Sequence, residues 1–190
     1  MMPEYWKILS EADEASYKVL DVSSVKAVSP RTKKVYDFVI LKSSPWVNII
    51  PITSEGNVVM IRQYRHGIRD ITLEIPGGLV EPKDDPKQAA LRELKEETGY
   101  YTNEVYSLGY VHPNPAIFNN VCHTFLALNV KRVSDQEQDE KEDIEVVCIP
   151  LKQVPYLIQE AKITHALVVV AFYRLFLEAR HLIKLSFLPF

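Results

Sequence analysis

Three glutamates, Glu93, Glu96 and Glu97, crowd the end of the stretch GGLVEPKDDPKQAALRELKEETGY, residues 77–100. Carboxylates supply hard oxygen donors, and several that reach one point make a site for a divalent cation, typically Mg2+. Spacing decides whether they can. At about 100° per residue on a helix, Ala89, Glu93, Glu96 and Glu97 share one face, while Ala90, Leu91 and Leu94 share the neighbouring one. Local energetics oppose the acidic face. Glu93 and Glu97 form an i,i+4 like-charge pair, which costs roughly 0.2–0.5 kcal/mol, near the negative end of the helix dipole. A bound cation would remove that repulsion. The competing reading is a solvated face diluted by Arg92 and Lys95, and helix arguments alone favour it.

The helix has clear limits. Asp85, Pro86 and Gln88 make a capping-box-like start, in which the carboxylate accepts from an orphan N–H and proline takes the first helical position. Gly99 supplies the stop. Between and around these limits, Gly78, Arg92, Glu93, Leu94, Glu96, Glu97, Gly99 and Tyr100 resemble the Nudix box, a glycine followed at fixed spacing by R-E-U-x-E-E-x-G-U, where U is aliphatic or aromatic. The chain departs from that pattern at Asp84, where the box has glutamate, and at Lys83, where it has glycine.

The resemblance implies a Nudix fold, a mixed β-sheet sandwiched between α-helices, and hydrolysis of a diphosphate that links a nucleoside to a second group. It implies Glu93 and Glu97 as ligands of Mg2+ (Mn2+ as the alternative), with the Gly77 carbonyl oxygen as a further ligand. Glu96 would assist and Arg92 would orient a carboxylate. ADP-ribose pyrophosphatases of the family carry a catalytic glutamate in an acidic loop followed by a similar EDI pattern. The segment DEKEDIEV offers Glu140, the preferred candidate, and then Glu142. VVMIRQYR followed by TLEIPGG is similar to the strands before the box in ADP-ribose and nucleoside diphosphate sugar pyrophosphatases, and implies Arg65 and Glu74 as substrate contacts. A guanidinium suits phosphate because its planar fork donates in pairs. Pro115 sits where such enzymes place a proline, but Ala116 stands where many have glycine. In these relatives an N-terminal run of strands builds a homodimer, which implies a dimerising β extension over 1–45 and a hydrolase domain over 46–190.

The elements that must position these residues are strands first and helices last. YWKILS, YKVLDV, VYDFVIL, WVNIIPI and NVVMIRQYR read as strands, with a hairpin turn at SEGN, where Gly56 can take positive φ. EVYSLGYV, CHTFLALNV and IEVVCIPL follow the acidic helix. LKQVPYLIQEAK and THALVVVAFYRLFLEARHL read as helices that pack on the sheet. The class is α+β. His112, Trp46, Tyr64 and Phe118 are aromatic or imidazole groups better read as loop or core, and the cysteines and histidines lack zinc-ligand spacing.

Composition narrows the partners. A net charge of −3 over 190 residues gives no basic surface for nucleic acid or an anionic membrane, so the expected partner is a small-molecule nucleotide. ALVVVAF is too short to span a bilayer. The beginning of the sequence lacks a basic then apolar run, and Cys122 and Cys148 make no disulfide framework, which points to the cytoplasm. Two other functions fit the same box: hydrolysis of a nucleoside triphosphate or dinucleoside polyphosphate, and nucleotide sensing without turnover.

Overall fold

The computed structural model describes residues 2–138, 140–183 and Phe187. In chain order these form strands β1 (Lys7–Ser16), β2 (Asp21–Val28), β3 (Val35–Lys42), β4 (Trp46–Ile52), β5 (Asn57–Arg65), β6 (Asp70–Glu74) and β7 (Gly77–Leu79). Helix α1 (Pro86–Thr98) is followed by β8 (Tyr100–Tyr101), β9 (Val105–Val111), β10 (Cys122–Leu128), β11 (Lys131–Arg132) and β12 (Ile144–Pro150). Helices α2 (Val154–Gln159) and α3 (Ala166–Glu178) come last. The chain divides into two compact units, one of Met1–Ser44 with His112–Val121, the other of Pro45–Val111 with Cys122–Phe190.

The larger unit is a seven-stranded sheet of order β12-β5-β4-β10-β9, with β6 paired to β5 and β7 to β4. β4 runs parallel to β10, whereas β5 and β7 meet it antiparallel, so the sheet is mixed. Central position explains the sequence WVNIIPI, an apolar run with both faces covered. Period-two alternation sends Val47 and Ile49 to one face, where they pack with Ala89, Ala90 and Leu94 of α1. Ile50 and Ile52 go to the other, against Val168, Ala171, Phe172 and Leu175 of α3. Helices therefore cover both faces, as the Nudix resemblance implied. The β4–β5 hairpin turns at Gly56, whose φ is 84°, and pairs Ile52 with Val58.

The smaller unit is the antiparallel sheet β1-β2-β3. β1 is longer than the apolar pattern predicts, because polar contacts hold it. Ser23 Oγ donates to Asp13 at 2.7 Å, and Lys42 Nζ lies 2.5 Å from Glu11 and 3.0 Å from Asp13. Residues 17–20, read as the start of a strand, form a turn closed by Tyr17 N–H on the Leu20 carbonyl. Residues 112–121 join this unit by backbone bonds, Leu41 N to Ile117 O at 2.7 Å and Asn119 N to Leu41 O at 3.2 Å. The helix predicted over 151–162 is shorter than expected: a single 3-10 turn at Leu151–Gln153 leads into α2, which ends at Gln159 before Ala161 adopts φ 54°.

Candidate active site

Helix α1 presents its acids through ordinary local chemistry. Asp85 accepts from the backbone N–H of Lys87 at 2.9 Å and of Gln88 at 3.4 Å, and Gly99 ends the helix at φ 73°. Burial of Ala90 and Leu94 against β4 fixes the rotation of the helix about its axis, so Glu93 and Glu97 meet β7. There the Gly77 N–H donates to Glu97 Oε2 at 2.9 Å. A Cβ on Gly78 would lie 2.5 Å from the Glu93 carboxyl carbon, so only glycine leaves that carboxylate its place.

Both carboxylates are held in an environment hostile to charge. Burial pushes Glu93 up to about 6, with Arg92 opposing and the charges of Glu96 and Glu142 adding to the rise. Glu97, only 5% exposed, is raised well above the ordinary carboxylate range. Burial is the chief cause; the Gly77 N–H opposes, and Glu93 and Glu142 contribute repulsion. Arg92 is the local counter-charge. Its guanidinium reaches Glu96 at 2.8 Å, Glu93 at 3.0 Å and the Leu79 carbonyl at 3.3 Å. Asp84 stops 3.9 Å from Arg92 Nε, and that nitrogen is buried with no hydrogen-bond partner.

The acidic loop is tied to this helix. Gln136 Nε2 donates to the Glu97 carbonyl at 2.7 Å and to the Ile144 carbonyl at 3.1 Å, while Glu137 N–H donates to the Glu96 carbonyl at 2.8 Å. Two carbonyls that a helix end leaves unpaired are thereby satisfied. Of the two loop candidates, Glu142 is the one whose charge acts on both Glu93 and Glu97. Glu140, in a turn, and Glu142 are both exposed.

Arg65 and Glu74 are brought together by the β5–β6 pairing. Arg65 donates to the carboxylate twice, at 2.7 and 2.6 Å, and Thr72 Oγ1 adds a third bond at 2.5 Å. Burial alone would raise Glu74; the bonds and charge of Arg65, with Thr72, outweigh it and hold the group below the usual range. The pair lines a cavity of about 680 Å3 with Trp46, Asn48, Gly77, Gly78, Leu79 and His165. Gly77 and Gly78 thus touch both the helix carboxylates and the cavity. Beside it, Asn48 Oδ1 and His165 Nδ1 are buried without a hydrogen-bond partner. Burial holds His165 below the usual imidazole value, against the pull of Glu74.

The donor set fits a hard divalent ion in chemistry: oxygen ligands only, two of them carboxylates, with Glu97 buried and Glu93 half-buried. The ligand cage itself is not assembled, because Glu93 is turned to Arg92 and Glu97 to Gly77. Among the described residues no three acidic, histidine or cysteine side chains converge at coordination distance. Sequence reasoning missed Gln136, Gln138, Thr72, Asn48 and His165. Two neutral amides within an acidic run were the sole local signal, and the others are marked only by their tertiary neighbours.

The chain matches the family model described as NUDIX domain over residues 43–171. It is 29% identical over 161 residues to an ADP-ribose pyrophosphatase of Bacillus subtilis (strain 168), covering 84% of this chain and 86% of that protein. It is 31% identical over 153 residues to a methanol dehydrogenase activator of Bacillus methanolicus, covering 80% and 81%. A solved structure of an ADP compounds hydrolase shares the fold with a TM-score of 0.80 at 24% identity, over 92% of this chain and 94% of that one.

Proposed function

Because the chain belongs to the NUDIX domain family, we propose that this Nudix hydrolase cleaves the diphosphate linkage of ADP-ribose or a related nucleoside diphosphate sugar, with Mg2+ as the working metal and Mn2+ as a substitute. The products are a nucleoside monophosphate and a sugar phosphate. One observation carries the reading: the carboxylates of buried Glu97 and half-buried Glu93, within reach of the Glu142 charge, border glycines that also wall a cavity of about 680 Å3. The ADP-ribose pyrophosphatase relative supports the choice of substrate.

A divalent ion held by Glu93, Glu97 and the Gly77 carbonyl would neutralise phosphate charge and lower the pKa of water. Arg92 keeps Glu93 and Glu96 aligned through its two short ion pairs. Glu142, rather than Glu140, accepts a proton from the attacking water at a carboxylate oxygen. Water's oxygen bonds to one phosphorus as the bridging P–O bond breaks, and the bridging oxygen leaves on the other phosphate. Arg65, pre-aligned by Glu74, contacts the substrate from the cavity side.

We further propose a homodimer built through the N-terminal strands, where Trp6, Ile8, Tyr36, Phe38 and Val39 stand exposed. No helix among the described residues is long and apolar enough to cross a membrane. The free thiols Cys122 and Cys148 support a reducing, cytoplasmic setting. The deciding experiment is product analysis with ADP-ribose in competition with other diphosphate sugars, nucleoside triphosphates and dinucleoside polyphosphates, with and without Mg2+. Metal-dependent release of AMP and ribose 5-phosphate as the preferred reaction is the expected result. Faster turnover of a triphosphate, or no turnover of anything, overturns it.

A further inference from the structure

The loop that carries Glu142 has an electrostatic problem. Glu137, Glu140, Glu142 and Asp143 follow one another towards a helix that already presents Glu93, Glu96 and Glu97, and like charges so arranged repel. Left to itself, such a loop would swing into solvent. A lysine or arginine could hold it in place, but a cation there would also pair with Glu97 or Glu142 and quench the charges that the reaction uses. One cation does reach the start of the loop, Lys95 Nζ at 3.6 Å from Glu137; further along, towards Ile144, the structure uses neutral amides and aims them at backbone.

Gln136 bridges two elements through one nitrogen: Nε2 donates to the carbonyl of Glu97, at the end of α1, at 2.7 Å and to that of Ile144, at the start of β12, at 3.1 Å. Gln138 then pairs with the whole Ile144 peptide edge. Its Nε2 donates to the Ile144 carbonyl at 2.9 Å and its Oε1 accepts from the Ile144 N–H at 3.1 Å. This side chain does what a neighbouring strand residue would do, so Gln138 and Ile144 close the base of the loop that holds Glu142. Gln136 fixes that base to the helix of Glu93 and Glu97.

We propose that Gln136 and Gln138 are positioning residues: together they hold Glu142 over the acidic face of α1 without neutralising it. The proposal rests on the reading of Glu142 as the group that accepts water's proton. It makes a distinction between the two amides. Both bonds of Gln136 are donations, so Gln136→Glu loses as much as Gln136→Ala. Gln138 donates once and accepts once, so Gln138→Glu keeps the Ile144 N–H bond and is impaired less than Gln138→Ala.

The test measures kcat, KM and the Mg2+ concentration for half-maximal activity for these four variants, for Glu142→Gln, and for Gln136→Ala combined with Glu142→Gln. Expected are a kcat lowered at least tenfold by either Gln136 change, KM and Mg2+ dependence within twofold of the parent, and no further loss when Gln136→Ala is added to Glu142→Gln. Unchanged kcat, an equal loss in the Glu142→Gln background, or weakened Mg2+ dependence that accounts for the loss overturns the proposal. Trypsin cleavage after Lys141, an exposed loop residue, is followed alongside. Cleavage several-fold faster in Gln136→Ala at unchanged thermal midpoint is expected, and an unchanged rate overturns the tether even if no substrate is ever turned over. A parent enzyme inactive on every diphosphate with the tether intact would defeat the proposed reaction alone; full activity of Glu142→Gln would defeat the positioning role.

Discussion

Glu97 is the most buried carboxylate of the proposed metal site. Its charge is disfavoured by burial and by its neighbours, so ionisation opposes folding. A carboxyl raised on folding contributes stability that is complete below its unfolded pKa and is lost as pH rises through the folded one. For Glu93 that window runs from the ordinary glutamate value of 4.5 to about 6, worth on the order of 2 kcal/mol by the conversion of about 1.4 kcal/mol per unit. Glu97 acts in the same direction. Metal-free protein should therefore be stabilised by Glu97→Gln at pH 7.5 and scarcely affected at pH 5, as read from thermal midpoints. Mg2+ should raise the midpoint of the parent at pH 7.5, much less at pH 5, and little in the variant, whose turnover should fall at least a hundredfold, about 2.7 kcal/mol of barrier. A variant that keeps both turnover and the Mg2+ response would remove Glu97 from the site. Asp84 gives a second test. Its carboxylate stops 3.9 Å from a buried, unpaired Arg92 Nε, and one more methylene adds about 1.5 Å of reach. Asp84→Glu should shift the denaturant midpoint upward by about 0.5–1 kcal/mol of stability; a downward shift would refute this account of the orphan nitrogen.

At the scale of elements, α1 works because its two ends and its apolar stripe agree. Asp85 caps the first turn, Gly99 turns the chain out of the last, and Ala90 and Leu94 lock the face between. Removing the cap with Asp85→Ala should cost about 1 kcal/mol. Gly99→Ala should cost more, because a left-handed backbone at φ 73° disfavours a side chain and the new Cβ would press on the Ser134 carbonyl oxygen. The two urea midpoints decide the order, and an alanine at 99 that proved the milder change would contradict it. Such a push would also disturb the loop that begins at Ser134, so activity should fall further than the loss of stability explains.

For the whole molecule, the notable surface is the N-terminal sheet, where Trp6 packs edge-on to Tyr36 and Phe38 at 5.9 and 5.3 Å yet all three stay exposed. Sedimentation at micromolar concentration should give twice the 21.8 kDa chain mass. Phe38→Asp should move that equilibrium towards one chain, since burying an unpaired carboxylate in an apolar interface is costly. A parent protein that sediments as a single chain would rule the dimer out.

The amino-acid sequence determined the acidic helix, its cap and stop, the apolar strands and the α+β class, because those depend on periodicities and turn chemistry confined to neighbouring residues. It also carried the family likeness. Tertiary structure decided what lies far apart along the chain: the parallel meeting of β4 with β10, the joining of residues 112–121 to β3, and the locking of Arg65 to Glu74 across a hairpin. It also decided where the amides of Gln136 and Gln138 go, to the backbone of Glu97 and Ile144, because bonds of a side chain to distant backbone leave no periodic trace in a sequence.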